Sequence, residues 1–345
     1  MSQSAYEVMV LKGYLKYYGG RIAWYVVTFF CALILNFLLP RLMPGNPIAS
    51  IVSNATAGMT DASAIQQIQE QYIQRFGLDK SYFQQFWLYV GNLLKGDMGT
   101  SFSQYPRTVS DIIGSSVLWT LGLQIPAIIV GWVVGNFLGC IAAYVRKGFD
   151  KVLMPVSMFI SNMPAFGMAT ILLWLFAIEL KVAPSGGGYG FDMVPNASWS
   201  FFVSVLSHWW LPFLSVVLIT IGGQAIGMRS MSIYELNADY VKYSRFLGIK
   251  DSKIILYVFR NAMLPQVTGL AMSFGSMLSG NIIAEQVFSY PGIGSALLSS
   301  VTGRDYPLLS GCTLIITVMV LIANLVIEIL YGFIDPRVKA NQMES

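Results

Sequence analysis

The chain has 345 residues, of which 55% are apolar and only 11% are charged. This composition excludes an ordinary soluble globular protein and is typical of a polytopic membrane protein. The net charge of +4 is a topology signal and gives no indication of nucleic-acid binding. Cys31, Cys140 and Cys312 fall in apolar stretches, so neither a disulfide scaffold nor a zinc cluster is expected.

Six stretches of the sequence are free or nearly free of charged residues. A helix needs about 20 residues to cross roughly 30 Å of hydrocarbon, and each stretch is long enough for one. The stretches are residues 22–40, 112–145, 152–178, 193–228, 261–284 and 306–327. The sequence therefore predicts an all-α protein with six transmembrane helices, whose membrane domain covers residues 22–334.

Lysine and arginine are distributed unevenly among the connections, and cytoplasmic connections carry more of them. One set of connections carries 14 of the 21 basic residues with 7 acidic ones, whereas the other carries 7 basic and 9 acidic ones. The first set is 1–21, 146–151, 229–260 and 335–345, and the second is 41–111, 179–192 and 285–305. We therefore expect both termini in the cytoplasm, with an N-terminal interfacial segment and a short C-terminal tail.

The connection 41–111 is expected on the outer side and begins with MPGNP at 43–47, which ends the first helix. Apolar residues at helical spacing then predict two amphipathic helices joined by GLDKS at 77–81. These residues are Ile65, Ile68, Tyr72, Ile73 and Phe76 in the first helix, and Phe83, Phe86, Trp87, Val90, Leu93 and Leu94 in the second. Two such helices would frame a docking surface on the outer face.

Prolines predict kinks in the third and fourth spans. Pro155 and Pro164 lie in the third span, and Pro212 is expected just before the fourth. Kinked helices often line a pathway, but neighbouring helices can equally well satisfy the freed carbonyl groups. The prolines therefore indicate bends and leave the position of the pathway open.

Small and charged residues within the spans are the candidates for a pathway. Gly222 and Gly223 in span four and Gly275 and Gly280 in span five permit either a widened lumen or close helix packing. Glu328, near the inner end of span six, has either a pathway or gating role or a structural one. The middles of all six spans are uncharged, which disfavours an ion-coupled pump.

The sequence lacks the residues of a catalytic centre. It contains one histidine, His208, beside two tryptophans, which is typical of an interfacial aromatic belt. It contains no GxxxxGK[ST] phosphate loop, so the chain cannot hydrolyse ATP by that route. We expect no enzyme activity, no catalytic residues and no metal site in this chain.

The connection 229–260 is a polar, basic stretch of 32 residues between two apolar ones. A stretch of that size must pack on something in water. Leu236, Tyr240, Tyr243 and Leu247 have helical spacing and would form one apolar stripe on a helix. The sequence therefore predicts a docking helix for a soluble partner.

A set of motifs follows in order along nearly the whole chain, namely LPRLMPGNP (39–47), FGLDKSYFQQFWLYVGNLLKGDMGTSF (76–102), DYVKYSRFLGI (239–249), RNAMLP (260–265), EQVFSYPGIG (285–294), GRDYPLLSG (303–311) and DPRVK (335–339). This ordered set resembles the permease subunits of binding-protein-dependent ABC importers in the dipeptide/oligopeptide/nickel branch. The Glu-Ala-Ala that typically opens the family's loop is replaced by Lys242-Tyr243-Ser244, whereas Gly248 stands at the expected offset. The long connection 41–111 resembles that of the B-type permease.

This resemblance implies a type I ABC importer fold in a bacterial or archaeal cytoplasmic (inner) membrane, with a cytoplasmic coupling helix. It also implies a C-type permease partner, two ATP-binding cassette subunits that hold ATP and Mg²⁺, and an external solute-binding protein. No cofactor is implied in this chain. The resemblance places coupling to the ATPase on Asp239, Tyr240, Val241, Tyr243, Ser244, Leu247 and Gly248, to which the apolar stripe adds Leu236.

The predicted function is therefore a permease subunit of an ATP-driven importer, which forms half of the pathway for peptides or a similarly sized solute. The branch also includes permeases for oligosaccharides, glutathione and nickel, so the solute stays open. Nickel has the least support because a single histidine offers little to a transition metal. The alternative from another class is a stand-alone secondary transporter, which predicts inverted repeats or mid-membrane charges.

Overall fold

The computed structural model describes residues 3–42, 46, 48–57, 61–145, 148–280 and 282–334. These residues form α-helices with short connections, and the extended pairing among them is an isolated bridge between Thr100 and Thr108. The helices are α1 (Gln3–Leu42), α2 (Ala49–Ala55), α3 (Ala62–Arg75), α4 (Tyr82–Leu93), α5 (Val109–Val145), α6 (Gly148–Ser161), α7 (Ala165–Leu173), α8 (Trp199–Leu236), α9 (Asp239–Phe246), α10 (Asp251–Gly280), α11 (Ile282–Val287), α12 (Ile293–Thr302) and α13 (Tyr306–Ile334). A π-helical segment, Trp174–Glu179, continues α7.

Five helices in the described part of the chain are long and apolar enough to cross a membrane. The spanning segments are Ile22–Leu42, Val109–Val145, Trp199–Leu236, Asp251–Phe274 and Tyr306–Val326. The remaining predicted span corresponds to a bent pair, Gly148–Ser161 with Ala165–Glu179, which turns by 102° at its break. The prediction of an all-helical protein with six spans is confirmed when this pair is counted as one span.

The bend between α6 and α7 lies at one of the predicted prolines. Pro164 precedes α7 with extended backbone angles (φ −57°, ψ 140°), and its carbonyl accepts the Met168 N–H at 3.1 Å. Proline has no N–H and disfavours helical geometry in the residue before it, so the helix stops there. Pro155 and Pro212 lie inside α6 and α8, so the expectation that Pro212 precedes its helix is wrong.

The chain divides into two compact units. The first contains the described residues of Met1–Trp119 and Gly292–Ile322, and the second contains those of Thr120–Pro291 and Ala323–Val338. The boundary therefore falls inside α5 and again inside α13.

In the first unit, the two amphipathic helices predicted in the connection 41–111 are present as α3 and α4. Ser81 caps α4 in a capping box with Gln84, because each side chain bonds the backbone of the other. Ile48, Ile51 and Phe102 are buried in a common core. The partly buried side chains packed against this core are Ile65, Tyr72, Ile73, Phe76, Leu78 and Tyr306. The sequence did not predict α2, which supplies Ile51.

In the second unit, α5 packs on α8 through a row of glycines four residues apart. A Cβ on Gly131 would lie 2.6 Å from Thr220 Cβ, and one on Gly139 would lie 2.4 Å from the Ala225 carbonyl oxygen. A Cβ on Gly135, between them, would lie 2.8 Å from the Ile221 carbonyl oxygen. This spacing is the small-xxx-small pattern of closely packed membrane helices.

Candidate functional site: the short helix between α8 and α10

The connection 229–260 is mostly helical, and only residues 237–250 lie between α8 and α10. The prediction that the connection begins at residue 229 is therefore wrong as a helix boundary. α8 continues past its apolar stretch to Leu236, because polar composition marks the edge of the hydrocarbon and not the last hydrogen-bonded turn. The segment between the two long helices contains α9 alone.

The predicted single stripe is divided between two helices. Leu236 is the last residue of α8, and the chain leaves helical geometry at Ala238 (φ −67°, ψ 151°) before α9 begins at Asp239. Helical spacing cannot hold across that break, so Leu236 and Leu247 do not share one face. The prediction of one continuous stripe is wrong for this reason.

One side of α9 is fixed against its own unit. Val241 is fully buried and packs with Ile254 and Val258 of α10, and Leu236, Tyr240 and Ile249 pack around them. Burying side chains of this size stabilises the contact by roughly 1.5–3 kcal/mol each. Val241 and Tyr240 therefore hold α9 in place, and Val241 is wholly enclosed by this contact whereas Tyr240 is half-buried.

Tyr240 also connects α9 to α8 through a side-chain hydrogen bond. Its hydroxyl donates to the Glu235 Oε2 of α8 at 2.9 Å. Burial raises the pKa of Tyr240 to about 12, and the hydrogen bond to Glu235 adds to the shift. The phenol therefore keeps its proton and remains a donor over the physiological pH range.

The other side of α9 exposes three adjacent large apolar side chains. Tyr243 is 67% exposed, Phe246 is 86% exposed and Leu247 is 78% exposed. Ser244 is half-buried, and Asp239 is exposed and paired with Lys242 at 2.9 Å. Single exposed apolar residues are ordinary, but an adjacent group on a fixed helix is typical of an interaction site. Phe246 was not among the predicted residues, although it stands three positions after Tyr243.

Gly248 ends α9. Its φ of +70° lies in the left-handed region, where a residue without a side chain is not strained. The Gly248 N–H bonds the Arg245 carbonyl and the Ile249 N–H bonds the Ser244 carbonyl, both at 3.0 Å. This pair of bonds is a Schellman motif, and Ile249 packs against the cluster of Val241, Ile254 and Val258.

The pathway candidates have different surroundings. A Cβ on Gly222 would lie 2.8 Å from the Ser157 carbonyl oxygen of α6, so Gly222 serves close helix packing and does not border open space. No described atom lies within 4 Å of the corresponding position on Gly223. Gly275 and Gly280 lie in α10 and Glu328 lies in α13, but their surroundings and side chains fall outside the described residues.

A half-buried ion pair in the second unit joins the ends of α6 and α8. Arg229 Nε lies 2.5 Å from Asp150 Oδ1, and its Nη2 lies 2.6 Å from Oδ2. The bidentate geometry orients both side chains. No local sequence pattern predicts this pair, because the two residues are 79 positions apart and charged residues are common beside a membrane span.

A buried carboxylate in the first unit was also missed. Asp305 is completely buried and accepts hydrogen bonds from the hydroxyl groups of Ser101 and Ser103, from the Ser103 N–H and from the Leu308 N–H. Asp305 therefore caps α13 and holds residues 101–103 against it. The aspartate of the GRDYPLLSG motif thus has a structural role.

The second unit contains a further buried carboxylate, that of Glu285 in α11. It accepts the Thr120 hydroxyl at 2.7 Å, and Tyr290 is buried in the same unit. The Glu285 charge raises the pKa of Tyr290 further, after burial as the larger cause. Tyr290 therefore stays protonated. The glutamate and tyrosine of the EQVFSYPGIG motif are thus interior groups and offer no exposed charge.

These features define a multi-pass membrane protein with a short, fixed helix that exposes apolar side chains between two spans. A family model described as "Binding-protein-dependent transport system inner membrane component" matches residues 135–340. The chain belongs to this family. Its helices accordingly form the type I ABC importer permease fold of a multi-pass inner-membrane protein.

Two curated relatives match along almost their whole length. The glutathione transport system permease protein of Escherichia coli (strain K12) is 31% identical over 327 residues, which are 94% of this chain and 99% of that protein. The di/tripeptide transport system permease protein of Pseudomonas aeruginosa (strain UCBPP-PA14) is 30% identical over 340 residues, again 94% and 99%. The resemblance to permeases of the dipeptide/oligopeptide/nickel branch is confirmed.

Proposed function

We propose that this chain is the B-type permease of an ATP-driven importer and forms half of the translocation pathway for short peptides. Its relatives are named for glutathione and for di- and tripeptides, which are solutes of two to three residues. An external binding protein would deliver the solute, and a C-type permease would supply the other half of the pathway. Gly223, Gly275, Gly280 and Glu328 remain the candidates within it.

Energy is proposed to come from two ATP-binding cassette subunits, which hold ATP and Mg²⁺. On the orientation expected from the basic residues, both termini and α9 lie in the cytoplasm, and the connection 41–111 lies outside. The observation that carries the proposal is the exposed group Tyr243, Phe246 and Leu247 on a helix that is fixed from behind. Such a helix can transmit motion of a partner to α8 and α10, because its buried side is packed against residues of both helices.

The docking role distinguishes two parts of the predicted coupling set. Tyr243, Phe246 and Leu247 would enter the ATPase, with Ser244 and Asp239 at the margin of the contact. Leu236, Tyr240 and Val241 would hold α9 on its own subunit, and Gly248 would end the helix. Burying each exposed side chain in a partner groove is worth roughly 1.5–3 kcal/mol, so the three would be major contributors to the contact.

The test is a substitution series in the complete reconstituted importer. Phe246→Asp and Leu247→Asp are expected to abolish solute-stimulated ATP hydrolysis and uptake, because each places a carboxylate in an apolar contact. Lys250→Ser combined with Lys253→Ser changes exposed charge nearby and is the matched control, expected to retain most activity. Docking of the external binding protein should persist in all variants. Normal coupled hydrolysis in both aspartate variants would contradict the proposal.

A further inference from the structure

A cavity of about 230 Å³ lies within the first unit, between the end of α1, the helices α3 and α4, and the start of α13. Arg41, Tyr89 and Tyr306 line it, and Arg75 at its edge is exposed to solvent. A cavity of about 150 Å³ holds benzene, which has six heavy atoms, so this one admits a molecule of about nine heavy atoms.

Arg41 is the partly buried cation of this cavity, and it is rigidly held. Its Nε donates to Gln85 Oε1 at 3.0 Å, its Nη1 donates to the Phe37 carbonyl at 2.8 Å, and its Cζ lies 3.5 Å from the Phe37 ring centroid. Gln85 is only 8% exposed, and its amide nitrogen donates to the carbonyls of Leu78 and Lys80. The guanidinium is therefore oriented by a buried side chain that is itself fixed.

The bonding capacity of Arg41 is not filled by the protein. A guanidinium has five N–H donors, and the described residues accept from two of them. Arg41 forms no ion pair with a carboxylate of the described residues. A partly buried cation without a counter-charge is costly, and a carboxylate that pairs with its free donors would remove that cost.

Tyr89 supplies a second donor in the same cavity. Its hydroxyl is buried and has no hydrogen-bond partner among the described residues. Burial raises the pKa of Tyr89 to about 12, so the phenol is protonated at neutral pH and can donate. Asp97 also lines the cavity, and its Oδ1 already accepts the Gly99 N–H at 2.8 Å.

We propose that this cavity is a binding site for the carboxylate of a small organic solute, held by Arg41 and Tyr89 and positioned through Gln85. Recognition of the carboxylate follows from these residues alone. The choice of a short peptide as the solute rests on the proposed function, since the peptide C-terminus supplies a carboxylate and a dipeptide of two glycines has about nine heavy atoms. The site would capture solute before it reaches the spans.

The test uses the full-length chain in nanodiscs of zwitterionic lipid, with glycylglycine as the probe and calorimetric titration as the measurement. We expect saturable binding of glycylglycine and no binding of glycylglycinamide, in which an amide replaces the carboxylate. Arg41→Gln should abolish binding. Arg107→Gln, an exposed arginine of the same connection outside the cavity, should leave it unchanged.

Tyr89→Phe is the variant that separates recognition from folding, because it removes only a hydroxyl without a partner. A hydrogen bond to a charged group corresponds to a change of roughly 10- to 100-fold in affinity, so glycylglycine should bind at least about tenfold more weakly. Absence of saturable binding to the unmodified chain, equal binding of the amide, or unchanged affinity in Tyr89→Phe would each overturn the proposal. A further result would also overturn the proposal: the unmodified chain binds no glycylglycine, and Arg41→Gln loses docking of the binding protein. The cavity would then receive a carboxylate of that protein and not one of the solute. None of these results depends on ATP hydrolysis, so they are independent of the test of α9.

Discussion

The connection 41–111 and the short segment around α9 differ in how much of their apolar surface lies in a core. In the first, apolar residues of α2 and α3 turn inward to a core, and the residues 101–103 are held by the buried Asp305. In the second, only one side of α9 is buried, and Tyr243, Phe246 and Leu247 remain exposed. The first region therefore has a core of its own, although α4 also exposes large apolar side chains, whereas α9 is buried only on the side that packs on α10.

The largest effect is expected at Asp305, the buried carboxylate of the first region. Asp305→Asn replaces an acceptor of four hydrogen bonds with a group that also carries an N–H₂ donor, so serine and backbone donors lose their partner in the interior. We expect a loss of about 3 kcal/mol or more in the free energy of unfolding, measured by thermal or denaturant unfolding in detergent. Asp61→Asn is the control, because Asp61 is exposed and caps α3, where asparagine is an equally good cap. Equal effects of the two substitutions would contradict the interior role of Asp305.

A smaller effect is expected from Gly222 and Gly223, two adjacent glycines of α8, because the first is packed closely against α6 and the second is not. Gly222→Ala would press a Cβ against the Ser157 carbonyl and should destabilise the protein by about 1–3 kcal/mol. Gly223→Ala meets no described atom and should be neutral or slightly stabilising, because alanine favours a helix over glycine by about 1 kcal/mol. Thermal unfolding of both variants in detergent measures the difference. The packing account of Gly222 fails if the two alanines have the same effect.

The smallest effect concerns the ionisation of Tyr240 at the base of α9. Its pKa is raised from 10.0 to about 12, so the folded state favours the protonated phenol. This contribution to stability is fully present below pH 10 and is lost as the pH rises through 12. The ultraviolet difference titration between the unmodified chain and Tyr240→Phe should therefore show one phenolate forming near pH 12. A midpoint near pH 10 would mean that Tyr240 is not held against Glu235.

The general fold followed from local features of the sequence. Apolar length predicted the spans, amphipathic spacing predicted α3 and α4, and Pro164 predicted a bend because proline has no N–H and restricts the backbone before it. The end of α8 was not predictable from composition, since a helix can continue into water. For that reason the stripe from Leu236 to Leu247 was assigned to one helix, although the helix is interrupted at Ala238.

Interior polar groups were the other features that the sequence did not reveal. Asp305 and its serine partners are about 200 positions apart, and Arg41 and Gln85 are 44 apart, so no local pattern connects them. Phe246 was missed for a different reason. It fits the same helical face as Tyr243, but the predicted stripe began at Leu236, which belongs to α8 and not to α9.

The most direct test of the central claim, that α9 is the docking element, is the accessibility of its exposed side. Cys31 is the one exposed cysteine among the three, so it is first replaced by serine, and a single cysteine is then placed at Leu247 or at Lys250. In the isolated chain, maleimide should label both positions at similar rates. In the assembled importer with its ATP-binding subunits, labelling at position 247 should fall at least about tenfold while labelling at position 250 changes much less, because only the first would be buried in the partner. Undiminished labelling at position 247 in the intact complex would contradict the account.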